Sequence, residues 1–407
     1  MTRFRPANKA ELKKALLYMN VLTGIHPQHG HINSWDVSEV DDMSNLFYHN
    51  YFEFNHFKEF NQPLDEWDVS RVKNMSCMFM ACPKFNQSLN KWVVSSVKNM
   101  KSMFSNCSFF NQDLEDWDVS NVENMNDMFN YCVNFNKPLN KWKTKTSNVE
   151  DMSYMFRNCT SFNQPLDNWD VSKVKDMNNM FCRCINFNQP LNDWKPIKVE
   201  DMSMMFSECI HFNQPLDKWD VRKVKNMAAM FEKCKSFNQE LNTWKVINVE
   251  DVTSMFSLCD KFDKPLNQWD VRNVNKFVSM FYYCKSFNQE LPWIIKKKAN
   301  IIQMFLGSKG RLVDNPGITM KLGSISLSRK RNREAIEQQS PNYTHASTGI
   351  SVKEDPATKK YRNMHEVLSR RELSDHIASF VGSKTGTAKA QSKTGGKTKR
   401  RKRTVRL

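Results

Sequence analysis

Apolar residues recur along residues 31–307 with a period of about 25 residues. Seven of the ten intervals between successive tryptophans are 25 residues long, and the others are 24, 27 and 32. A cysteine follows nine of these tryptophans, fifteen residues later in eight cases. A fixed period of roughly 20–50 residues is typical of repeat proteins, in which each unit buries its apolar face only by stacking on its neighbours.

Residues 212–237 show the two apolar patterns of one repeat. Trp219 and Val221 alternate around Asp220, which predicts a short strand facing the core. Apolar residues at 227, 230, 231, 234 and 237 then have the spacing of one face of a helix of about three turns. Asn226, directly before the first Met, predicts the N-cap of that helix. We therefore expect an α/β solenoid of about eleven strand–helix rungs, whose strands form one parallel sheet.

The flanking segments differ from the repeats. Residues 8–22 are amphipathic and begin at Asn8, which predicts a helix that caps the first rung. Most of the net charge of +17 lies after residue 307, and residues 383–407 contain ten Lys or Arg and no acidic residue. The predicted domains are an N-terminal cap (1–30), a repeat solenoid (31–307), a linker (308–357), a short amphipathic helix (358–382) and a disordered basic tail (383–407).

The string FNQPLDNWDVSKVKDMNNMF, residues 162–181, resembles the repeats of BspA-like and mycoplasma-lipoprotein-type bacterial surface proteins. The motifs Phe-Asn-Gln, Trp-Asp-Val-Ser and Met-Phe carry the resemblance, which covers about residues 31–305. It implies a leucine-rich-repeat-like fold, and most members of that family have no assigned biochemical activity. Similar repeats occur in large DNA viruses, and the Gly-Gly-Lys-Thr-Lys-Arg-Arg string at 395–401 favours a viral member.

The tryptophans of the repeats form a column that we interpret as a structural core ladder. An aromatic residue beside Val on an alternating strand is typical of packing, whereas an exposed platform for carbohydrate or peptide is the alternative. The predicted ladder consists of Trp67, Trp92, Trp117, Trp142, Trp169, Trp194, Trp219, Trp244 and Trp269.

Neither the cysteines nor the histidines predict a metal site. A column of thiols in register is linear, whereas zinc needs ligands clustered in a tetrahedron, so the cysteines are expected to be buried free thiols. The string HPQHGH, with His26, His29 and His31, is expected to form a cap loop. The Asn that follows each repeated Phe is expected to hydrogen-bond turn backbone between rungs. No cofactor and no catalytic residues are predicted. Catalysis needs a few different side chains that converge on one site, whereas repetition supplies many equivalent side chains.

The residues directly after successive tryptophans alternate in sign. On adjacent strands they would form an opposite-charge ladder that fixes the register, and a plain solvated surface is the alternative. A second column, at Lys175, Glu200, Lys225 and Glu250, alternates in the opposite phase. The first column consists of Asp118, Lys143, Asp170, Lys195, Asp220, Lys245 and Asp270.

No secretory signal or transmembrane run is visible, which predicts a location inside a host cell, cytoplasmic or nuclear, or in a virion. The sequence predicts a non-enzymatic scaffold that binds an unknown protein partner, with the tail adding electrostatic attachment. The alternative is a nucleic-acid-associated or nuclear-targeted protein whose tail binds nucleic acid or importin, and a merely solubilising tail is a third reading. The tail residues predicted to make those contacts are Lys397, Lys399, Arg400, Arg401, Lys402 and Arg403.

Overall fold

The computed structural model describes residues 3–48 and 56–313. The chain divides into two compact units, Met1–Lys330 and Arg331–Leu407, and all described residues belong to the first. Most of the predicted linker, the predicted helix at 358–382 and the basic tail with its six contact residues therefore lie outside the described residues. Within the described part, no helix is long and apolar enough to cross a membrane.

The chain begins with a short helix beside the first repeat. Helix α1, Lys9–Tyr18, starts after Asn8, whose side chain accepts a hydrogen bond of 3.0 Å from the Glu11 N–H. Its buried residues are Leu12, Ala15 and Leu16. Lys9 of the same helix forms an ion pair of 3.0 Å with Asp42 of the first repeat. The expected helix over 8–22 therefore exists but ends at residue 18.

The regular strands are two residues long and stand at the two ends of the described region. Strands β1 (Ile25–His26) and β2 (Gly30–His31) are antiparallel, and a 3-10 helix follows at Ile32–Ser34. Strands β3 (Glu290–Leu291) and β4 (Arg311–Leu312) are parallel. One further 3-10 helix spans Asn140–Thr146.

Between these ends, each repeat pairs with the next through a single parallel bridge. The bridging residue is the one directly before the first Met, or its equivalent, and not the Trp-x-Val stretch that we expected to form the strand. Trp219 and Val224 instead close turns, their N–H groups donating to the carbonyls of Leu216 and Val221 at 3.2 and 3.0 Å. The bridges run through Asp42, Asn74, Asn99, Asn124, Asp151, Asp176, Asp201, Asn226, Asp251, Lys276 and Asn300.

The segment from the first Met to the Cys of each repeat, here called the Met–Cys segment, is a series of turns and not the expected helix. In residues 227–234 the φ angles of Ala229 and Lys233 are positive, 54° and 58°. The Met230 N–H donates to the Met227 carbonyl three residues back at 3.2 Å, while the Ala229 N–H donates to Thr253 of the next repeat at 2.7 Å. Apolar spacings of three and four residues are compatible with consecutive turns as well as with a helix. In a series of turns every second N–H group is left available to bond the neighbouring repeat.

The inward side chains of all repeats form one continuous apolar cluster from Leu12 to Phe305. Equivalent rings lie nearly parallel in successive repeats: the Phe206 and Phe231 centroids are 5.7 Å apart at 5°, and those of Trp219 and Trp244 are 6.3 Å apart at 4°. The apolar side chains of each repeat therefore pack against those of the next repeat.

Candidate interaction surface

The tryptophans of the predicted ladder are at most 4% exposed. Each indole N–H donates to a main-chain carbonyl of the preceding repeat, as from Trp244 to Leu216 at 2.8 Å and from Trp92 to Leu64 at 2.8 Å. Burial of both the ring and its polar N–H leaves no aromatic surface for a carbohydrate or peptide at these positions.

All eleven cysteines are buried free thiols. The Cys234 thiol donates to the carbonyl of Phe206 in the preceding repeat at 2.8 Å. Burial raises the pKa of Cys77 and that of Cys182 to about 11, so both stay protonated and poorly nucleophilic at neutral pH. Among the described residues, no group of three or more His, Cys, Asp or Glu could hold a metal ion.

The histidines of the cap loop bind main-chain groups. The Nδ1 atom of His26 accepts from the Gln28 N–H at 3.0 Å and the His29 N–H at 3.1 Å. The Nδ1 atom of His31 accepts from the Asn33 N–H at 3.2 Å. These bonds close turns of the loop, in the manner expected of a cap.

The repeated Asn after Phe forms a hydrogen-bonded ladder, which confirms the expectation for this column. The Asn213 side-chain oxygen accepts from the Asn238 N–H at 2.8 Å, and Gln239 donates to the Asn213 carbonyl at 2.9 Å. Where Asp263 replaces Asn, its carboxylate accepts from the Asn288 N–H at 2.8 Å in the same way. Either residue satisfies a main-chain donor of the following repeat.

Most described carboxylates of the charge column directly after the tryptophans are bound within their own repeat, and only Asp118 among them also lies near a lysine of the next repeat, 3.9 Å from Lys145. Asp220 forms an ion pair of 2.6 Å with Arg222 of its own repeat. Asp170 accepts the Ser172 N–H at 2.9 Å. The same local pattern holds at Asp118, which accepts from Ser120, and at Asp270, which pairs with Arg272.

From Asp170 to Asp270 the expected ladder is therefore wrong, because these carboxylates are bound within their own turns, whereas the links through Lys143 stay a prediction. No ion pair of the described residues joins Asp170 to Lys195 or Lys245 to Asp270, and the side chain of Lys143 lies outside the described part. Cross-repeat pairs occur in the second column instead, where Glu200 and Lys225 lie 2.7 Å apart.

The Met–Cys segments present their second, third, sixth and seventh residues outward, and these differ from repeat to repeat. In residues 227–234 the second and third positions are Ala228 and Ala229, whereas the middle repeats place Asn, Ser and Asp at such positions. In the four middle segments, 100–107, 125–132, 152–159 and 177–184, eight of these polar residues are at most 8% exposed and are here called the polar patch: Ser102, Ser105, Asn126, Asp127, Asn130, Ser153, Asn158 and Asn179.

Hydrogen bonds join the polar patch across successive repeats. The Ser102 hydroxyl donates to Asp127 at 2.9 Å, and the Asn126 side chain donates to the Ser153 hydroxyl at 2.6 Å. Beside the patch, the Arg157 guanidinium lies over the Tyr154 ring, 5.6 Å from its centroid. Sequence reasoning missed this patch, because a helical Met–Cys segment would have placed the same residues on a fully solvated face.

Comparison with known proteins identifies a family but no individual relative. A family described as "Mycoplasma protein of unknown function, DUF285" matches residues 18–53, 49–146, 143–244 and 211–314. No curated protein and no solved structure matches the chain.

Proposed function

The chain belongs to the DUF285 family of mycoplasma proteins of unknown function, and from that premise we propose that it is a non-enzymatic protein-interaction scaffold. The proposed architecture is a leucine-rich-repeat-like solenoid, in which the rungs are built of turns joined by single bridges. The basic segment 383–407 would add electrostatic attachment to acidic partners. The Gly-Gly-Lys-Thr-Lys-Arg-Arg string at 395–401 resembles strings in proteins of large DNA viruses, and on this resemblance we propose a viral source and a place in the host cell or virion.

The contrast between inward and outward positions carries this proposal. Inward positions repeat almost unchanged, as Met, Met, Phe and Cys do at 202, 205, 206 and 209 and again at 227, 230, 231 and 234. Exposed or half-buried positions of the Met–Cys segments, by contrast, range from Ala228 to Arg157 and Arg183. Packing accounts for the first set, whereas the second distinguishes one repeat from another and suits recognition of a partner along an extended face.

An enzyme would need a few chemically distinct groups that converge on one reacting centre. The repeats supply the opposite, namely many equivalent groups spaced along the chain, and their thiols are buried. A binding surface gains from such repetition, because each added repeat extends the contact area without new chemistry.

The test is affinity capture with the full chain and with a chain that ends at residue 382. Partners recovered from a nuclease-treated lysate would be identified by mass spectrometry, and each would then be purified and remixed with both chains. We expect at least one purified protein to bind both chains, with only a salt-dependent loss for the shorter one. If removal of residues 383–407 or nuclease treatment abolishes the binding of every partner, the tail is responsible for the binding. The nucleic-acid-associated function then replaces the scaffold.

A further inference from the structure

We propose that residues 318–322, which lie beyond the described part of the chain, close the C-terminal end of the repeats as an added strand. The main-chain carbonyls of this strand would accept the hydrogen bonds that a further repeat would otherwise accept. The proposal concerns the end of the stacked repeats and does not depend on the scaffold function.

The inner repeats show which main-chain groups a following repeat supplies. The N–H groups of Phe277 and Phe281 donate to carbonyls of the last repeat at 2.7 and 2.8 Å, whereas the Met280 N–H closes a turn of its own repeat at 3.2 Å. Such an arrangement recurs along the chain, so every second N–H of a Met–Cys segment bonds the repeat that follows. Each repeat therefore needs a row of carbonyls from its neighbour.

The last repeat has unpaired donors in the same positions. Its equivalent residues include Ile301, Phe305 and Gly307, and their N–H groups have no hydrogen-bond partner in the part of the chain that the structure describes. Ile301 and Phe305 are 8% and 7% exposed, whereas Phe277 and Phe281 are 0% exposed, and Gly307 lies at the surface. This end is therefore open to solvent, and unpaired main-chain donors at an open edge are a template for another segment.

The chain itself contains a segment of the required kind. Residues 318–322 alternate strictly between apolar and polar side chains. Such alternation predicts a strand with one covered face, and an extended strand adds readily to an open main-chain edge. The apolar side consists of Ile318, Met320 and Leu322, and the polar side consists of Thr319 and Lys321.

The described chain already begins to cover this end before it reaches the proposed strand. A Cβ atom at Gly310 would lie 2.5 Å from the Phe287 ring, so the main chain crosses the last ring of that column in close contact. The Val313 N–H then donates to the Leu291 carbonyl at 3.0 Å.

Four residues separate Val313 from Ile318. Five residue steps reach up to about 17 Å, which is more than three spacings between neighbouring strands. The compact unit that contains the repeats also extends to Lys330 and so includes the proposed strand.

A second copy of the chain fits this end less well. If two copies met through their C-terminal ends, rows of N–H donors would face each other, and neither row would supply acceptors. The N-terminal end of another copy is covered by helix α1, whose Leu12 and Leu16 are buried and whose Lys13 donates to the Asn45 carbonyl at 3.1 Å. A strand from the same chain meets neither obstacle.

Hydrogen–deuterium exchange of the full chain, followed by mass spectrometry, tests the proposal. Met320→Asp would place a charge on the covered side of the strand, and Thr319→Asp is the matched control on the opposite side. We expect peptides from residues 300–308 to exchange at least about tenfold faster in Met320→Asp than in the unchanged chain, and at the unchanged rate in Thr319→Asp.

Peptides from residues 277–283 report whether the inner repeats remain folded, and they should exchange alike in all three chains. If Met320→Asp also speeds exchange there, the milder Met320→Ser replaces it and should still speed exchange at residues 300–308 alone. Equal exchange at residues 300–308 in the folded Met320 variant and the unchanged chain would overturn the proposal. Equal acceleration by Thr319→Asp would also overturn it, because the strand would then have no covered side.

The concentration dependence of exchange identifies other occupants. Exchange of residues 300–308 should be independent of protein concentration, since the strand belongs to the same chain. Protection that increases with concentration, together with a dimer in analytical ultracentrifugation, would make a second copy the occupant and overturn the proposal. None of these results changes the capture experiment, which tests the scaffold function separately.

Discussion

The indole N–H of Trp219 donates to the main-chain carbonyl of Leu191, one repeat earlier, at 2.9 Å. The same carbonyl also accepts the Trp194 N–H at 3.1 Å, so both of its lone pairs are used inside the core. This bond recurs along the tryptophan column and explains why the position is Trp and not Phe. The ring fills the core, and its N–H satisfies a carbonyl that water does not reach.

Replacing Trp219 by Phe should therefore lower the free energy of unfolding by roughly 1–3 kcal/mol. The loss combines the missing hydrogen bond with the smaller ring. Urea denaturation followed by circular dichroism measures it. Phe109→Leu is the control, because Phe109 is 50% exposed and should change stability little. Equal stability of Trp219→Phe and the unchanged chain would mean that the indole bond contributes nothing.

Positive φ angles at non-glycine residues recur twice in most Met–Cys segments, as at Ala229 and Lys233. The left-handed conformation costs an L-residue roughly 1–2 kcal/mol, and the N–H bond of Ala229 to Thr253 helps to offset it. Ala229→Gly should remove this strain and stabilise the chain by up to about 1 kcal/mol.

Ala228 provides the matched control for that change, since it is adjacent and similarly exposed but has no positive φ. Ala228→Gly should destabilise the chain by roughly 0.5–1 kcal/mol, because glycine there only adds freedom to the unfolded state. Thermal melts of the two variants should shift in opposite directions. Shifts of the same sign would show that the backbone at residue 229 is not strained.

The sequence was sufficient to predict the period, the Asn ladder and which columns are apolar, because these depend on residue type and spacing alone. It was insufficient for the Met–Cys segment. The residues 227, 230, 231 and 234 fit a helix and a series of turns equally, and the difference lies in whether the Ala229 N–H bonds its own repeat or the next. That choice depends on the neighbouring repeat, which no single-repeat pattern contains.

The polar patch escaped prediction for a related reason. Asn126 and Asn158 occupy outward positions of their own repeats, and a polar residue there suggests solvent. Their burial comes from flanking residues of adjacent repeats, such as Ser153, whose hydroxyl accepts from Asn126. The available signal was compositional: the outward positions of the middle repeats gain Asn and Ser where a later repeat has Ala228 and Ala229.

The cross-repeat ion pairs predict coupling in the second charge column and none in the first. Lys225→Glu should lower the melting temperature at low salt, because it places like charges beside Glu200. Adding Glu200→Lys should restore part of the loss. Lys195→Asp and Asp170→Lys should behave additively, since Asp170 is bound in its own turn.

A double-mutant cycle for each pair, measured by thermal melts at low salt and at about 1 M salt, checks these expectations. The coupling of residues 200 and 225 should fall at high salt. Equal coupling free energies in both columns would show that the ion pair of Glu200 and Lys225 has no special part in fixing the register.

Asp176 stands in the bridge column between two further carboxylates, Asp151 and Asp201. Burial is the larger cause that raises its pKa above the ordinary value, and the two neighbouring carboxylates add to it. The folded chain therefore holds the Asp176 proton more tightly than the unfolded chain. For a carboxyl whose folded pKa is raised, stability falls as the pH rises from the unfolded value, near 4, through the folded value.

Asp176→Asn should consequently raise the melting temperature at pH 7, and the gain should vanish near pH 3, where the carboxyl is protonated in both states. Asparagine keeps the acceptor for the Asn178 N–H, as Asn226 does for Ala228. Asp220→Asn should shift stability in the opposite direction at pH 7, because the hydrogen bond from Arg222 lowers the pKa of Asp220. Melts of both variants from pH 3 to pH 7 measure the two slopes, and a pH-independent gain for Asp176→Asn would show that its charge is not the cause.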